Sequence, residues 1–295
     1  MPITFQPMHP VFAAECSGVD IGQDLTPEQA DDIDAGMDRY AVLVFRRDAP
    51  VSTERQKVFT QYFGELEPPY QQIVSPEGVR LTDPNLIDIS NLGPSGEMLE
   101  RDDRRRQYNL GNQLWHSDSS YKDIPARYSL LHAHVVPPEG GDTQFADMRA
   151  AYDMLPAKMK AMVEDLVCLH SRVLSKGALG FAFTEQELEA FAPVRQRLVR
   201  THPKTGRKSL FLSSHGARIE GWPVPEGMML LRELNEHATQ REFVYSHKWR
   251  VGDLVMWDNR TTMHRATRFD DIAFPRDMRR TTVTDGLPTI AQVGA

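Results

Sequence analysis

Short apolar runs separated by turn residues dominate the chain. Runs at 41–45, 86–90, 128–136, 209–212, 242–245 and 254–257 read as strands. Pro137-Pro138, Gly140-Gly141-Asp142, Thr205-Gly206 and Gly252-Asp253 bound several of them with turn-forming residues. Helical signals are fewer. Thr26-Pro27-Glu28-Gln29 combines a side-chain cap with proline at the first helical position and predicts a helix to about Arg39. A second helix is expected from Ser52 or Thr53, with Val58, Phe59, Tyr62 and Phe63 on one face. Others are expected at 147–167, at 184–191, where Thr184-Glu185-Gln186-Glu187 repeats the capping pattern, and at 225–238. Long, irregular connections do not fit regular βαβ alternation. The pattern predicts a mainly β protein, an antiparallel sandwich or barrel with flanking helices. With no internal repeat or low-complexity linker, one domain over 1–295 is expected. Insertions at 68–113 (68–84 and 92–113) and 171–197 read as lids, and the tail 286–295 as flexible.

Composition narrows the class. The 295 residues carry 34 basic and 41 acidic side chains, a net charge of −7, with 40% hydrophobic and 25% charged residues. That is ordinary for a globular chain, and the acidic balance argues against nucleic acid or an anionic membrane as partner. The start, MPITFQPMHP, shows no basic and then apolar leader, and no apolar run reaches the roughly 18 residues of a membrane helix, so a cytoplasmic protein is expected. Cys16 and Cys168 are far apart and read as reduced packing thiols. The run Arg101-Asp102-Asp103-Arg104-Arg105-Arg106 reads as a solvated charged loop, its aspartates arguing against a phosphate patch.

Candidate chemistry begins at Trp115-His116-Ser117-Asp118. In an extended strand, His116 and Asp118 point to one face and can reach one metal ion. With one further histidine they would form a 2-His-1-carboxylate triad, the arrangement that suits non-haem Fe(II) and O2. His132 and His134 are a competing pair on the strand 128–136, and with a third ligand would suit zinc. In the last third, Val251-Gly252-Asp253 leads into an apolar strand ending Trp257-Asp258-Asn259-Arg260; His264 follows, then Arg276, Arg279 and Arg280 in a segment able to return as a strand over 278–283. On a strand Arg279 and Arg280 face opposite sides, and arginine forks suit carboxylates.

Together, His116-x-Asp118, Thr143, His264 and Arg276 resemble the signature of Fe(II)/2-oxoglutarate-dependent dioxygenases of the taurine dioxygenase/TfdA group. The resemblance extends through 112–120, 136–143, 147–153 and 251–260, and through His9-Pro10-Val11-Phe12-Ala13-Ala14, and spans about 8–285. It implies a double-stranded β-helix (jelly-roll, cupin-like) core. It implies Fe(II) on His116, Asp118 and His264; 2-oxoglutarate held by Arg276 and Thr143 beside Trp257; and a small anionic substrate at Arg280, with Asn112 and Ser119 on the substrate side. No catalytic residue beyond the metal centre is implied. The reaction implied consumes O2 and 2-oxoglutarate, releases succinate and CO2, and hydroxylates the carbon next to the ether oxygen of an aryloxyalkanoate, yielding a phenol and glyoxylate. The same chemistry on a sulfonate or alkyl sulfate is the alternative, and a non-redox zinc protein a further one. A homo-oligomer is implied by analogy. Two departures stand out. Glu67-Pro68-Pro69-Tyr70-Gln71-Gln72 lacks Lys and His, which puts more of anion recognition on Arg280, and the His264–Arg276 interval is one residue longer than expected, in the loop 270–275.

Overall fold

A computed structural model describes residues 2–68 and 80–292. Among them two sheets form the centre. The larger has the strand order Thr4–Pro7, Ala14–Ser17, Val42–Phe45, Leu254–Asp258, Ala126–Val135, Asp277–Thr284 and Ile87–Asp88. The neighbours are antiparallel, except that Ala14–Ser17 runs parallel to Val42–Phe45. The smaller sheet is antiparallel, with Thr143–Asp147 between Val244–His247 and Thr262–Ala266.

Strict alternation assigns each strand two faces. Val42, Val44, Leu131, Ala133, Val255, Trp257 and Met278 point inward and pack on Phe145, Tyr245 and Trp249 of the smaller sheet. Leu43, Phe45, Tyr128, Leu130, Leu254 and Met256 point outward, against helices Pro27–Tyr40 and Thr53–Gln61 through Ile33, Met37 and Phe59. The outer face of the smaller sheet, with Ala146 and Met263, packs on helices Met148–Met154 and Val224–Ala238. The layers are helices, large sheet, small sheet, helices: the jelly-roll core expected of the sequence. Each fully buried Leu, Met or Phe here contributes roughly 1.5–3 kcal/mol.

Local signals hold where caps are explicit. Gln29 N–H donates to Thr26 Oγ1 (3.2 Å) while Gln29 Oε1 accepts from Thr26 N–H (3.0 Å). Thr184 and Glu187 repeat this at Glu185–Ala190. The single helix expected at 147–167 is instead two, Met148–Met154 and Ala157–Val163, followed by the strand Val167–His170. Pro156 divides them, because its ring bars helical backbone in the preceding residue, and Leu155 is extended. The strand expected at 86–90 shortens to Ile87–Asp88, and the one at 242–245 shifts to Val244–His247 behind a 3-10 turn.

The charged run at 101–106 is not a solvated loop. Asp103 caps the helix Arg104–Leu110, Arg106 binds Asp271 through two nitrogens (2.8 and 3.0 Å), and Arg104 pairs with Glu187 (2.9 Å) over the ring of Phe181. Arg104 thus ties the insertion 92–113 to the insertion 171–197, and Arg106 ties it to the loop 270–275. Of the first insertion and the Glu67–Gln72 region, residues 69–79 lie outside the described residues, as do 293–295 of the tail. Up to Gln292 the tail is anchored rather than loose: buried Thr289 donates to Gln196 Oε1 (2.6 Å), and Gln292 Oε1 accepts from Arg200 (2.9 Å).

Candidate active site

The smaller sheet brings the two histidines together. His116 forms a lone antiparallel bridge with His264, its N–H to His264 O at 3.0 Å and the reverse bond at 2.8 Å. The expected strand through 116–118 is therefore one bridge only; Asp118 already lies in a turn, and Ser119 adopts left-handed φ (53°). Alternation still holds over three residues. Ser117 Oγ points away and donates to the carbonyls of Leu212 and Thr262 (both 3.1 Å), so His116 and Asp118 share the other side. One ligand atom from each of His116, Asp118 and His264 lies within 4.8 Å of the others. His116 Nε2 is 3.8 Å from Asp118 Oδ1, and His264 Nε2 is 3.7 Å from Asp118 Oδ2.

Protonation favours a cation. Burial, then the facing His116, pushes His264 well below the usual imidazole range, and burial lowers His116 too. Burial alone would raise Asp118, but Arg280, His264 and His116 outweigh it and hold the carboxyl at about 2. Two neutral imidazoles and one carboxylate converge. His116 Nδ1–H donates to Leu114 O (2.7 Å), which leaves Nε2 as the free lone pair. This donor set fits a divalent transition metal with open positions.

A second tier of residues, not singled out from the sequence, orients the carboxylate. Asn259 Oδ1 accepts from the Asp118 backbone N–H and from Trp257 Nε1 (both 3.0 Å). Its Nδ2 donates to Ser129 Oγ (2.9 Å), and Ser129 Oγ donates to Asp118 Oδ2 (2.8 Å). All four are buried. Trp257-Asp258-Asn259-Arg260 carried that signal as a motif without revealing the role of Asn259.

The other predicted residues gather around this cluster. Trp257 stands beside the His264 ring, centroids 4.7 Å apart. Thr143 is buried two pairs along the ladder from His264, and its Oγ1 accepts from Trp249 Nε1 (3.0 Å). Arg276 is buried, with only long bonds (3.4 Å) to the carbonyls of Ile89 and Gly141, no partner on Nε, and no carboxylate partner among the described residues. Desolvation lowers it to about 10. A buried, unpaired guanidinium fits an anionic guest such as a dicarboxylate. Gly140 shapes the adjoining turn at φ +70°, where a Cβ would meet Arg268 O at 2.3 Å.

Arg280 and Arg279 do face opposite sides. Arg279 binds Asp277 (3.2 Å), whereas Arg280 Nη1 bonds Asp118 Oδ1 and its Nε has no hydrogen-bond partner among the described residues. A large cavity opens onto His116, Asp118 and Arg280, with Asn112 and Ser119 in its lining. Asn112 also lines a smaller cavity that contains Arg276. Tyr108 and Lys176 from the two insertions, Tyr121 from the turn after Asp118 and His215 from the segment after 212 also line the large cavity, and none belongs to a motif visible in the sequence. His132 and His134 stay apart from the cluster: Ser129 reaches Asp118 from the inner face of the strand, and the even-numbered residues of that strand face the helix layer.

The Taurine catabolism dioxygenase TauD, TfdA family matches residues 4–282. The chain belongs to this family. It is 47% identical over 286 residues to an alpha-ketoglutarate-dependent 2,4-dichlorophenoxyacetate dioxygenase of Cupriavidus pinatubonensis, covering 97% of this chain and 99% of that one. It is 37% identical to an (S)-phenoxypropionate/alpha-ketoglutarate-dioxygenase of Sphingobium herbicidovorans, covering 90% and 89%. Among solved structures it resembles AAD-2 in complex with Mn(II) and N-oxalylglycine, with TM-score 0.90, 51% identity, and coverage of 99% and 100%.

Proposed function

We propose that the protein is an Fe(II)- and 2-oxoglutarate-dependent dioxygenase that hydroxylates the carbon next to the ether oxygen of an aryloxyalkanoate. The observation carrying this reading is a His-Asp-His cluster that opens onto a cation-lined cavity, with an unpaired buried arginine in the adjoining one. The relatives named for phenoxyacetate and phenoxypropionate substrates support the substrate class. In this reading His116, Asp118 and His264 hold Fe(II). Arg276 and Thr143 hold the distal carboxylate of 2-oxoglutarate, Trp257 walls that pocket, and Arg280 with Asn112 and Ser119 receives the substrate.

Bound iron and 2-oxoglutarate supply the oxidising power drawn from O2, with succinate and CO2 released. The protein's own residues confine and aim. Asn259 and Ser129 keep the Asp118 carboxylate in one rotamer. The Arg276 side chain fixes one anion by its carboxylate. The cavity cations fix the second and so select the C–H bond presented to the metal side. The hydroxylated carbon is a hemiacetal, which breaks to a phenol and glyoxylate.

Turnover with aryloxyalkanoates, sulfonates and alkyl sulfates, scoring succinate and phenol together, tests the reading. Phenol release matching succinate on an aryloxyacetate is the expected result; succinate release confined to a sulfonate or sulfate would replace the substrate class. We extend the proposal to one domain with lids at 68–113 and 171–197, a cytoplasmic location and a homo-oligomer, on family resemblance. Light scattering of the purified protein checks the last. No helix among the described residues is long and apolar enough to cross a membrane.

A further inference from the structure

We propose that Lys176, in the cavity that also holds Arg280, is a further anchor for the anionic end of the primary substrate. The inference rests on the reading that the large cavity takes an organic anion. Lys176 comes from the helix Arg172–Gly177, opened by Ser171, whose Oγ accepts from Leu174 N–H (3.1 Å). Its side chain is buried. Lys176, Arg280 and His116 line one continuous cavity.

Most cations of the lining have a carboxylate: Lys122 sits on Glu67 (3.1 Å), Arg80 on Asp88 and Asp277 (2.8 and 2.6 Å), Arg104 on Glu187, Arg105 on Asp103 (2.7 Å) and Arg280 on Asp118, while Arg172 lies over the rings of Tyr108, Tyr121 and Phe191. Lys176 has no carboxylate among the described residues. Its Nζ donates to Tyr108 O (2.8 Å) and lies 4.1 Å from the centre of the Tyr108 ring. An ammonium carries three donors, so two remain for a guest. Burial, then the charge of Arg172, pushes the Lys176 ammonium down to about 7, and an anion seated against it in the cavity supplies the missing counter-charge and favours the protonated form.

Space has been made for the ammonium. Gly111 has ordinary φ, yet a Cβ there would lie 2.1 Å from Lys176 Nζ. Tyr108 and Phe181 pack edge to face (5.3 Å) in the cavity lining, an apolar wall for the body of the ligand. The class defined is a small organic acid with an aromatic or apolar body.

The test measures binding to the full-length protein by calorimetry, with phenoxyacetate and its neutral counterpart 2-phenoxyethanol as probes, alongside thermal unfolding without ligand. In Lys176→Met, phenoxyacetate affinity is expected to fall about tenfold to hundredfold, the loss of a charged hydrogen bond. Binding of 2-phenoxyethanol and of 2-oxoglutarate stays at the wild-type value, and the ligand-free melting temperature holds or rises because a buried amine without a counter-charge is gone. Lys176→Arg keeps the preference for the acid. Wild-type affinity for phenoxyacetate in Lys176→Met, or an equal loss for acid and alcohol, overturns the assignment. If Lys176→Met does not fold, Lys176→Gln is judged by the same criterion. If the wild-type protein prefers an alkyl sulfate or sulfonate to phenoxyacetate, the aryloxyalkanoate reading falls, and Lys176 is judged on that anion instead.

Discussion

His116-Ser117-Asp118 and His132-Ala133-His134 have the same spacing, and each pair offers two ligands on one side of an extended chain. The first meets a third ligand, because the bridge to His264 draws another histidine against it. The second lies within a full ladder, with His132 opposite Leu254 and Arg279, on the outward face of the large sheet. Its rings sit 4.7 Å apart. Among the described residues, His116, Asp118 and His264 are the set that could hold a metal. Spacing confers the ability to chelate; which sheet face a pair occupies decides whether a third donor arrives.

The contrast predicts a graded series. Asp118→Ala or His264→Ala should abolish both Fe(II) binding, followed by equilibrium dialysis, and succinate release; full metal retention in either would end the distinction between the pairs. Arg276→Gln should leave metal binding in place and weaken 2-oxoglutarate by about tenfold to hundredfold, the worth of a charged hydrogen bond. Anaerobic titration of the coloured Fe(II)–2-oxoglutarate chelate reads it directly, and an unchanged midpoint would remove Arg276 from the site. Asn259→Ala should loosen Asp118 and lower metal affinity by about 10–100-fold, as loss of an orienting partner does. Metal affinity equal to wild type would make Asn259 a packing residue only.

The smallest effect falls on the other pair. His132→Leu should leave metal binding and turnover unchanged and alter only acid stability. Burial first, then His134 and Arg279, holds His132 at about 3; burial, then Arg279, holds His134 at about 4. The unfolded chain protonates such imidazoles below about pH 6.5. Between these limits the unfolded state binds more protons, so stability falls as pH drops from about 6.5 toward 4. Removing His132 should flatten that slope by up to about 1.4 kcal/mol per pH unit, read by urea unfolding across the window. A metal-binding loss as large as that of Asp118→Ala would erase the contrast.

Legibility followed the range of the interaction. The capped helix at Pro27–Tyr40 and the apolar strand Leu254–Asp258 were visible because a cap and a short apolar run each lie within a few consecutive residues. The expected helix at 147–167 failed at Pro156, where a local breaker outweighed the apolar spacing. The run at 101–106 was misread because its charges are answered by Asp271 and Glu187, distant in sequence. Ser129 carried no signal at all: a serine in an apolar strand becomes a partner of Asp118 only when the sheets close.

By itself, the sequence determined the two faces of each strand, the donors able to hold a metal, and the arginines able to hold carboxylates, since these follow from residue type and short-range periodicity. The tertiary structure decided which of the two ligand pairs acquires a third histidine, that Arg280 leans on Asp118, and that Lys176 enters the cavity without a carboxylate of its own. Those outcomes depend on desolvation and on contacts between segments far apart in the chain, where burial sets the energy of a charge and only folding sets its neighbours.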